Sequence, residues 1–226
     1  LPQPAFAAKV QVHQVAEFTH AAFCQALQGV DAVIYGVGLP EQFAFDTGVF
    51  DRVNLGLFRQ FLSALETTPV RRLVYISTYE VFQSIDGSIR ESHPIRPLQG
   101  MTPYFQAMIK AYQLALGTAE RIPLQLSTSH PAAVYGGMDT GDGFTNYLEC
   151  LVNWRLHKMP ANVAGRFPLV HAASLAQAIV QALPHTGAFI VSDGMSSMPE
   201  MARALRQQTR SYVPITLPKA LAYMSA

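Results

Sequence analysis

Short apolar runs ending on polar or glycine residues alternate through most of the chain with segments whose apolar positions recur every three to four residues. That alternation is the signature of β-α units and a parallel sheet. The clearest strand is Arg72-Leu73-Val74-Tyr75-Ile76-Ser77, where β-branched and aromatic residues run unbroken. Asp31-Ala32-Val33-Ile34-Tyr35 predicts a compact buried strand ending on Gly36 and Gly38, and residues 124–129 and 188–192 predict two more. A weaker strand is expected over residues 10–15. Helices are predicted around 23–27, over 50–65 with a stripe at Phe50, Val53, Leu57, Phe58, Phe61, Leu62 and Leu65, over 104–121, over 144–157 and over 174–183. Pro94, Pro97 and Pro103 deny regular structure to the loop 83–102, and Pro103 sets up the helix that follows. Residues 136–143 read as a glycine-rich loop, 160–165 as a turn and 167–171 as a short extended piece. A final segment begins at Thr216.

Composition narrows the functional classes. Of 226 residues 50% are apolar and 14% charged, which suits a well-buried globular chain, not a disordered one. The 16 Lys and Arg against 15 Asp and Glu are scattered, with only Arg71 and Arg72 adjacent, so no footprint for nucleic acid is present. A small-molecule substrate is the better expectation. Cys24 and Cys150 fit no metal spacing, and no metal site is expected. No apolar run nears the roughly 20 residues that span a bilayer, and no leader pattern opens the chain, so a soluble cytoplasmic protein is expected.

In an open α/β sheet, ligands bind beyond the carboxyl ends of the strands. Three ends carry the candidate chemistry: Tyr35-Gly36-Val37-Gly38, Ser77-Thr78-Tyr79-Glu80, and His130-Pro131-Ala132-Ala133-Val134-Tyr135-Gly136. Between the second and third lies Thr102-Pro103-Tyr104-Phe105-Gln106-Ala107-Met108-Ile109-Lys110. These strand ends, in this order, with Asn54 in Val53-Asn54-Leu55-Gly56 and the tyrosine helix, resemble the extended short-chain dehydrogenase/reductase family, the NAD-dependent epimerase/dehydratase group. The resemblance covers about residues 10–195.

The resemblance implies a Rossmann-like, doubly wound parallel sheet. Residues 1–135 would form a partial dinucleotide-binding domain and 136–226 a small substrate-binding region interleaved with the last sheet elements. It implies NAD or NADP as cofactor, with Gly36, Val37, Gly38, Asn54, Ser77, Pro131 and Val134 lining its site, and Tyr104 and Thr78 at the reacting oxygen. The loop 136–143 would lie near the substrate. By family analogy a homodimer would form through helices 50–65 and 104–121. His130 stands where many relatives carry arginine, and a histidine bonded to backbone is its alternative reading. Asn54 and His171 read as structural, and Glu17 as an exposed loop residue.

Two departures shape the functional expectation. In the family a lysine four residues beyond the tyrosine lowers its pKa, and here that position holds Met108. Lys110 lies six residues on, roughly 240° round the helix at about 100° per residue, so it should point elsewhere. Nor is there a glycine-rich phosphate turn after a first strand, since Gly36-Val37-Gly38-Leu39-Pro40-Glu41 lacks a third glycine. By the family's order the first strands should precede Leu1, so a longer natural protein is expected, and the end at Ala226 also looks early. The functional expectation is an NAD(P)-dependent oxidoreductase or epimerase/dehydratase-like protein acting on a small hydroxy or carbonyl substrate. A non-catalytic dinucleotide-binding sensor or scaffold of the same fold is its alternative.

Overall fold

The computed structural model describes residues 10–41, 48–136, 158–160, 165–197 and 213–215, with scattered helical positions between 200 and 207. Four parallel strands make the main sheet in the order β1 (Val33–Tyr35), β2 (Arg72–Ile76), β3 (Gln125–Pro131) and β7 (Gly187–Val191). Register aligns Tyr35 with Tyr75 and Ile76 with Ser129, so the carboxyl ends of β1, β2 and β3 stand side by side. A second sheet is built from β4 (Ala133–Tyr135) and β6 (Arg166–His171), which lie between β3 and β7 in the chain, and β8 (Gly194–Ser197), which follows β7. A separate parallel pair joins β5 (Lys158–Pro160) to β9 (Val213–Ile215).

Helix α1 (His20–Ala26) is capped by Thr19, whose hydroxyl accepts from the Ala22 N–H. Its Cys24 is a free, half-buried thiol. Helix α4 (Pro103–Arg121) takes Pro103 at its first turn, where a missing N–H costs nothing. Its buried face is Ala107, Ala111 and Ala115 beside Met108, Ile109 and Tyr112, and the small side chains let the helix lie close on the sheet. Helix α5 (Ala172–Ala182) buries Leu175 and Ile179 against a smaller cluster with Val74 and Val170.

The segment between β1 and β2 departs from the expected single helix. Gly48–Phe50 (α2) opens into a π-helical stretch, Asp51–Leu57, before Phe58–Glu66 (α3) resumes α geometry. The wider i→i+5 turn shifts the phase of the stripe. Asn54 and Leu55 become buried, while Val53 and Leu57 are only half-buried. Beyond it Phe58, Phe61, Leu62 and Leu65 return to the core. Phe58 stacks on Tyr75 at 4.3 Å between ring centroids, and Tyr35 lies 4.7 Å from Phe58 and 4.6 Å from Phe61.

Other boundaries moved for physical reasons. Residues 10–15 form no strand and are exposed, because among the described residues no strand pairs with them and isolated extended chain gains nothing by ordering. β1 is buried only in part, with Tyr35 in the core at 3% and Ile34 46% exposed, and among the described residues it has a strand on one side only. The expected helix 144–157, most of the loop 136–143, Cys150 and the segment at Thr216 lie outside the described residues.

Phe58 is fully buried at the centre of the aromatic layer. Phe58→Ala should cost about 3–5 kcal/mol in urea unfolding. A loss below about 1 kcal/mol, the scale of a surface substitution, would contradict this placement of the core.

Candidate functional site

A cleft of about 210 Å³ opens at the carboxyl ends of β1 and β2. Residues 36–40 form one wall and residues 75–77 the other, with Asn54, Tyr104 and Met108 closing it. Of the residues expected at the site, Gly36, Val37, Gly38, Asn54, Ser77 and Tyr104 therefore face one space. Thr78, Pro131 and Val134 do not line it. Pro131 is buried at the end of β3 opposite Val191, and Val134 is exposed in the second sheet opposite Val170.

The loop wall is held by Asn54. From the π-helical stretch its Oδ1 accepts from the Leu39 N–H at 2.8 Å and its Nδ2 donates to the Leu39 carbonyl at 2.9 Å. A carboxamide answering both groups of one residue imitates a strand partner, which suits a loop with no ladder of its own. The same Nδ2 reaches the Met108 sulfur at 3.6 Å. Gly36 passes so close to β2 that an added Cβ would meet the Ile76 side chain at 3.2 Å. The loop is tied again at Glu41, whose carboxylate accepts from the Thr102 hydroxyl at 2.7 Å, just ahead of α4.

Tyr104 enters the cleft from the first turn of α4, its ring edge-on to Phe50 at 5.5 Å. Burial pushes its pKa up to about 12, and the Glu80 and Glu41 carboxylates add to the rise. Met108, one turn on, is 8% exposed and offers a thioether where a cation would lower that pKa. Lys110 lies at the surface, its Nζ 3.7 Å from Asp51. The Tyr104 phenol is thus a neutral hydrogen-bond donor with negative charges around it.

Beside it, Ser77 is 6% exposed, and its Oγ has no hydrogen-bond partner. The Tyr75 phenol, pushed up mainly by burial, feels that hydroxyl, but no bond of ordinary geometry joins them. Thr78 stands one residue further on. Its Oγ1 accepts from the Glu80 N–H at 3.4 Å, capping the 3-10 turn Tyr79–Val81. Its carbonyl accepts from His130 Nδ1 at 3.0 Å. Glu80 is raised by burial and the Glu41 charge against the pull of Arg96. Sequence reasoning missed Glu80 and Glu41 as neighbours of Tyr104. Only the position of Glu80 two residues after Thr78 hinted at one of them.

An unpaired hydroxyl in a glycine-walled cleft suits a ligand that offers both an apolar ring and a hydrogen-bonding group. The volume lies below the roughly 300–1,000 Å³ usual for ligand sites. Among the described residues no group of three or more His, Cys, Asp or Glu is placed to hold a metal. No described helix is long and apolar enough to cross a membrane.

The NAD dependent epimerase/dehydratase family model matches residues 3–191. Among solved structures, the chain superposes on a nucleoside-diphosphate-sugar epimerase from Pseudomonas aeruginosa with TM-score 0.76 and 20% identity, covering 94% of this chain and 68% of that one. UDP-glucuronic acid 4-epimerase from Bacillus cereus, in complex with UDP-glucuronic acid and NAD, gives 0.75 at 16% identity, covering 86% and 65%. dTDP-glucose 4,6-dehydratase from Streptomyces venezuelae, with NAD bound, gives 0.75 at 20%, covering 89% and 66%. At such identities the likeness is one of fold. Among curated proteins no sequence matches significantly.

The Tyr104 pKa has a consequence for stability. The folded state holds the phenolic proton more tightly than an unfolded chain, so this contribution is full below pH 10 and is lost as pH rises through about 12. Tyr104→Phe lacks it, so its unfolding free energy should fall less than wild type across that window, by on the order of 1 kcal/mol. Parallel curves for the two proteins would show that the phenol is not shifted.

Proposed function

This chain belongs to the NAD-dependent epimerase/dehydratase family, and from that premise we propose that it binds NAD or NADP and acts on a hydroxyl or carbonyl of a sugar nucleotide, with Tyr104 and Thr78 at the reacting oxygen. The observation that carries this reading is the neutral Tyr104 phenol in a glycine-walled cleft at the strand ends, beside an unpaired Ser77 hydroxyl. NAD(P), when bound, supplies hydride transfer. Gly36, Val37, Gly38 and Ser77 would hold its nicotinamide end, with backbone groups and the Ser77 Oγ as polar partners. Asn54 serves that site indirectly, by fixing the loop.

The pKa sets the resting protonation state of the phenol. At neutral pH a phenol of pKa about 12 is ionised to only about one part in 10⁵, so it makes a poor base for a substrate alcohol. It remains a competent donor to an oxyanion developing from a carbonyl, because that alkoxide is the stronger base. Proton transfer between Tyr104 and the oxygen of a carbonyl that is being reduced, or of the alcohol in the reverse step, is therefore the chemistry the residues suit. Thr78, which stands just outside the cleft and caps the next turn, would turn its hydroxyl toward the same oxygen to take part. Water exclusion falls to Phe50 and Met108 beside the phenol.

A second reading is a non-catalytic dinucleotide-binding sensor or scaffold. What favours it is the contact between Asn54 and Met108, which fills with a thioether the place where a proton relay would need a cation. Binding and turnover separate the two readings.

Titration with NADH and NADPH should raise the melting temperature and change the reduced cofactor's fluorescence. The absence of both effects would remove both readings. If the protein also interconverts or reduces a sugar nucleotide, from a panel of UDP-glucose, UDP-glucuronic acid and dTDP-glucose and their keto forms, Met108→Lys should raise kcat by a few-fold, and at most about tenfold, for each unit it takes off the phenol's pKa. An unchanged kcat, starting from measurable activity, would count against Tyr104 as the proton donor.

A further inference from the structure

The turn that carries Thr78 is weakly held by its own hydrogen bonds. Val81 N–H reaches the Thr78 carbonyl at 3.3 Å, Phe82 N–H the Tyr79 carbonyl at 3.3 Å, and Glu80 N–H the Thr78 Oγ1 at 3.4 Å. All three exceed the usual range for N–H···O bonds. The shortest bond on this turn from outside the main chain comes from His130, whose Nδ1 lies 3.0 Å from the Thr78 carbonyl.

His130 is fully buried near the end of β3. Its ring lies 4.6 Å from Phe82 and 4.9 Å from Tyr112, centroid to centroid, so its plane is fixed from two sides. A carbonyl has no proton to give, so Nδ1 must carry one. Burial depresses the imidazole pKa to about 4, against smaller opposing effects of the Thr78 carbonyl and the Glu91 carboxylate, so the ring is neutral and Nε2 keeps a lone pair. That lone pair accepts from the Thr128 hydroxyl at 2.9 Å. Each ring nitrogen thus has one partner, and the partner at Thr78 dictates the tautomer.

We propose that His130 is a positioning residue for Thr78: its Nδ1–H, donated to the Thr78 carbonyl, aims the strand end from which the Thr78 hydroxyl projects. The same ring packs on Phe82, where the far end of the turn is also held by the Arg96 N–H, which donates to the Val81 carbonyl at 2.8 Å. This rests on the reading that places Thr78 at the reacting oxygen, since without it the aim of that hydroxyl serves no reaction.

Two substitutions divide the imidazole's bonds. His130→Asn keeps a donor where Nδ1 stands and loses the partner of Thr128. His130→Gln reaches Thr128 and leaves the Thr78 carbonyl without its donor. Each leaves one buried polar group unpaired, so both should lose melting temperature alike. They should differ in hydrogen exchange of the full chain. Val81 and Phe82 amides should exchange about tenfold faster in His130→Gln and at close to the wild-type rate in His130→Asn. Equal exchange in the two variants would overturn the proposal, and so would an equal fall of kcat in both, because positioning of Thr78 predicts that only His130→Gln loses turnover while a merely structural histidine predicts an equal loss.

Should either variant fail to fold, the wild type still decides. Long-range proton–nitrogen correlation at neutral pH, with the signal assigned through the Phe82 and Tyr112 rings, should find the proton on Nδ1. A proton on Nε2 would refute the proposal. Failure of the functional reading shows elsewhere, as absent NADH and NADPH binding by the wild type, and leaves the exchange pattern and the tautomer unchanged.

Discussion

The aromatic layer of Tyr35, Phe58, Phe61 and Tyr75 is the constraint from which the site descends. These rings interlock between the sheet and α3, with Phe58 wholly buried. Once α3 is fixed on the sheet, the π-helical stretch before it places Asn54 under the β1 loop. Asn54 then holds Leu39 by both of its backbone groups, and the cleft takes its width from that loop. Packing far from any chemistry thereby sets where a ligand can sit.

Charge inside the cleft follows from the same arrangement. Tying Glu41 to Thr102 brings a carboxylate to the start of α4, and the turn after β2 brings Glu80. Both raise the Tyr104 pKa, while the nearest lysine on the helix faces Asp51 at the surface. A buried phenol among carboxylates keeps its proton, and the site's chemistry is that of a donor.

Much of this architecture was legible in the residues. β2 and the start of α4 stood out because an unbroken β-branched run has few other readings and Pro103 after a proline-rich loop marks a first helical turn. The strand ends were legible too, since Gly36, Gly38, Ser77 and Tyr104 lie where an α/β sheet presents its ligands. What escaped was set by contacts between distant segments. The valines at 10 and 12 alternate like a strand, yet alternation supplies no pairing partner. The π-helical register is a choice of hydrogen-bond partner that no single side chain announces. Nor can spacing within α4 reveal that Met108 meets an asparagine 54 positions earlier.

The π-helical stretch also bears on how the chain could change length. A turn closed by i→i+5 bonds takes up one more residue than an α turn, so Asp51–Leu57 holds a local surplus of chain. Deleting one residue there would remove that surplus and let the segment relax into an ordinary α-helix, with the turns on either side kept nearly in phase. Phe58 would keep its place on the sheet, while Asn54, inside the stretch, would lose the position from which it meets both backbone groups of Leu39. A single-residue deletion here is therefore felt at the loop and spares the core, whereas the same deletion in the regular helix Phe58–Glu66 would rotate one side against the other by about 100°.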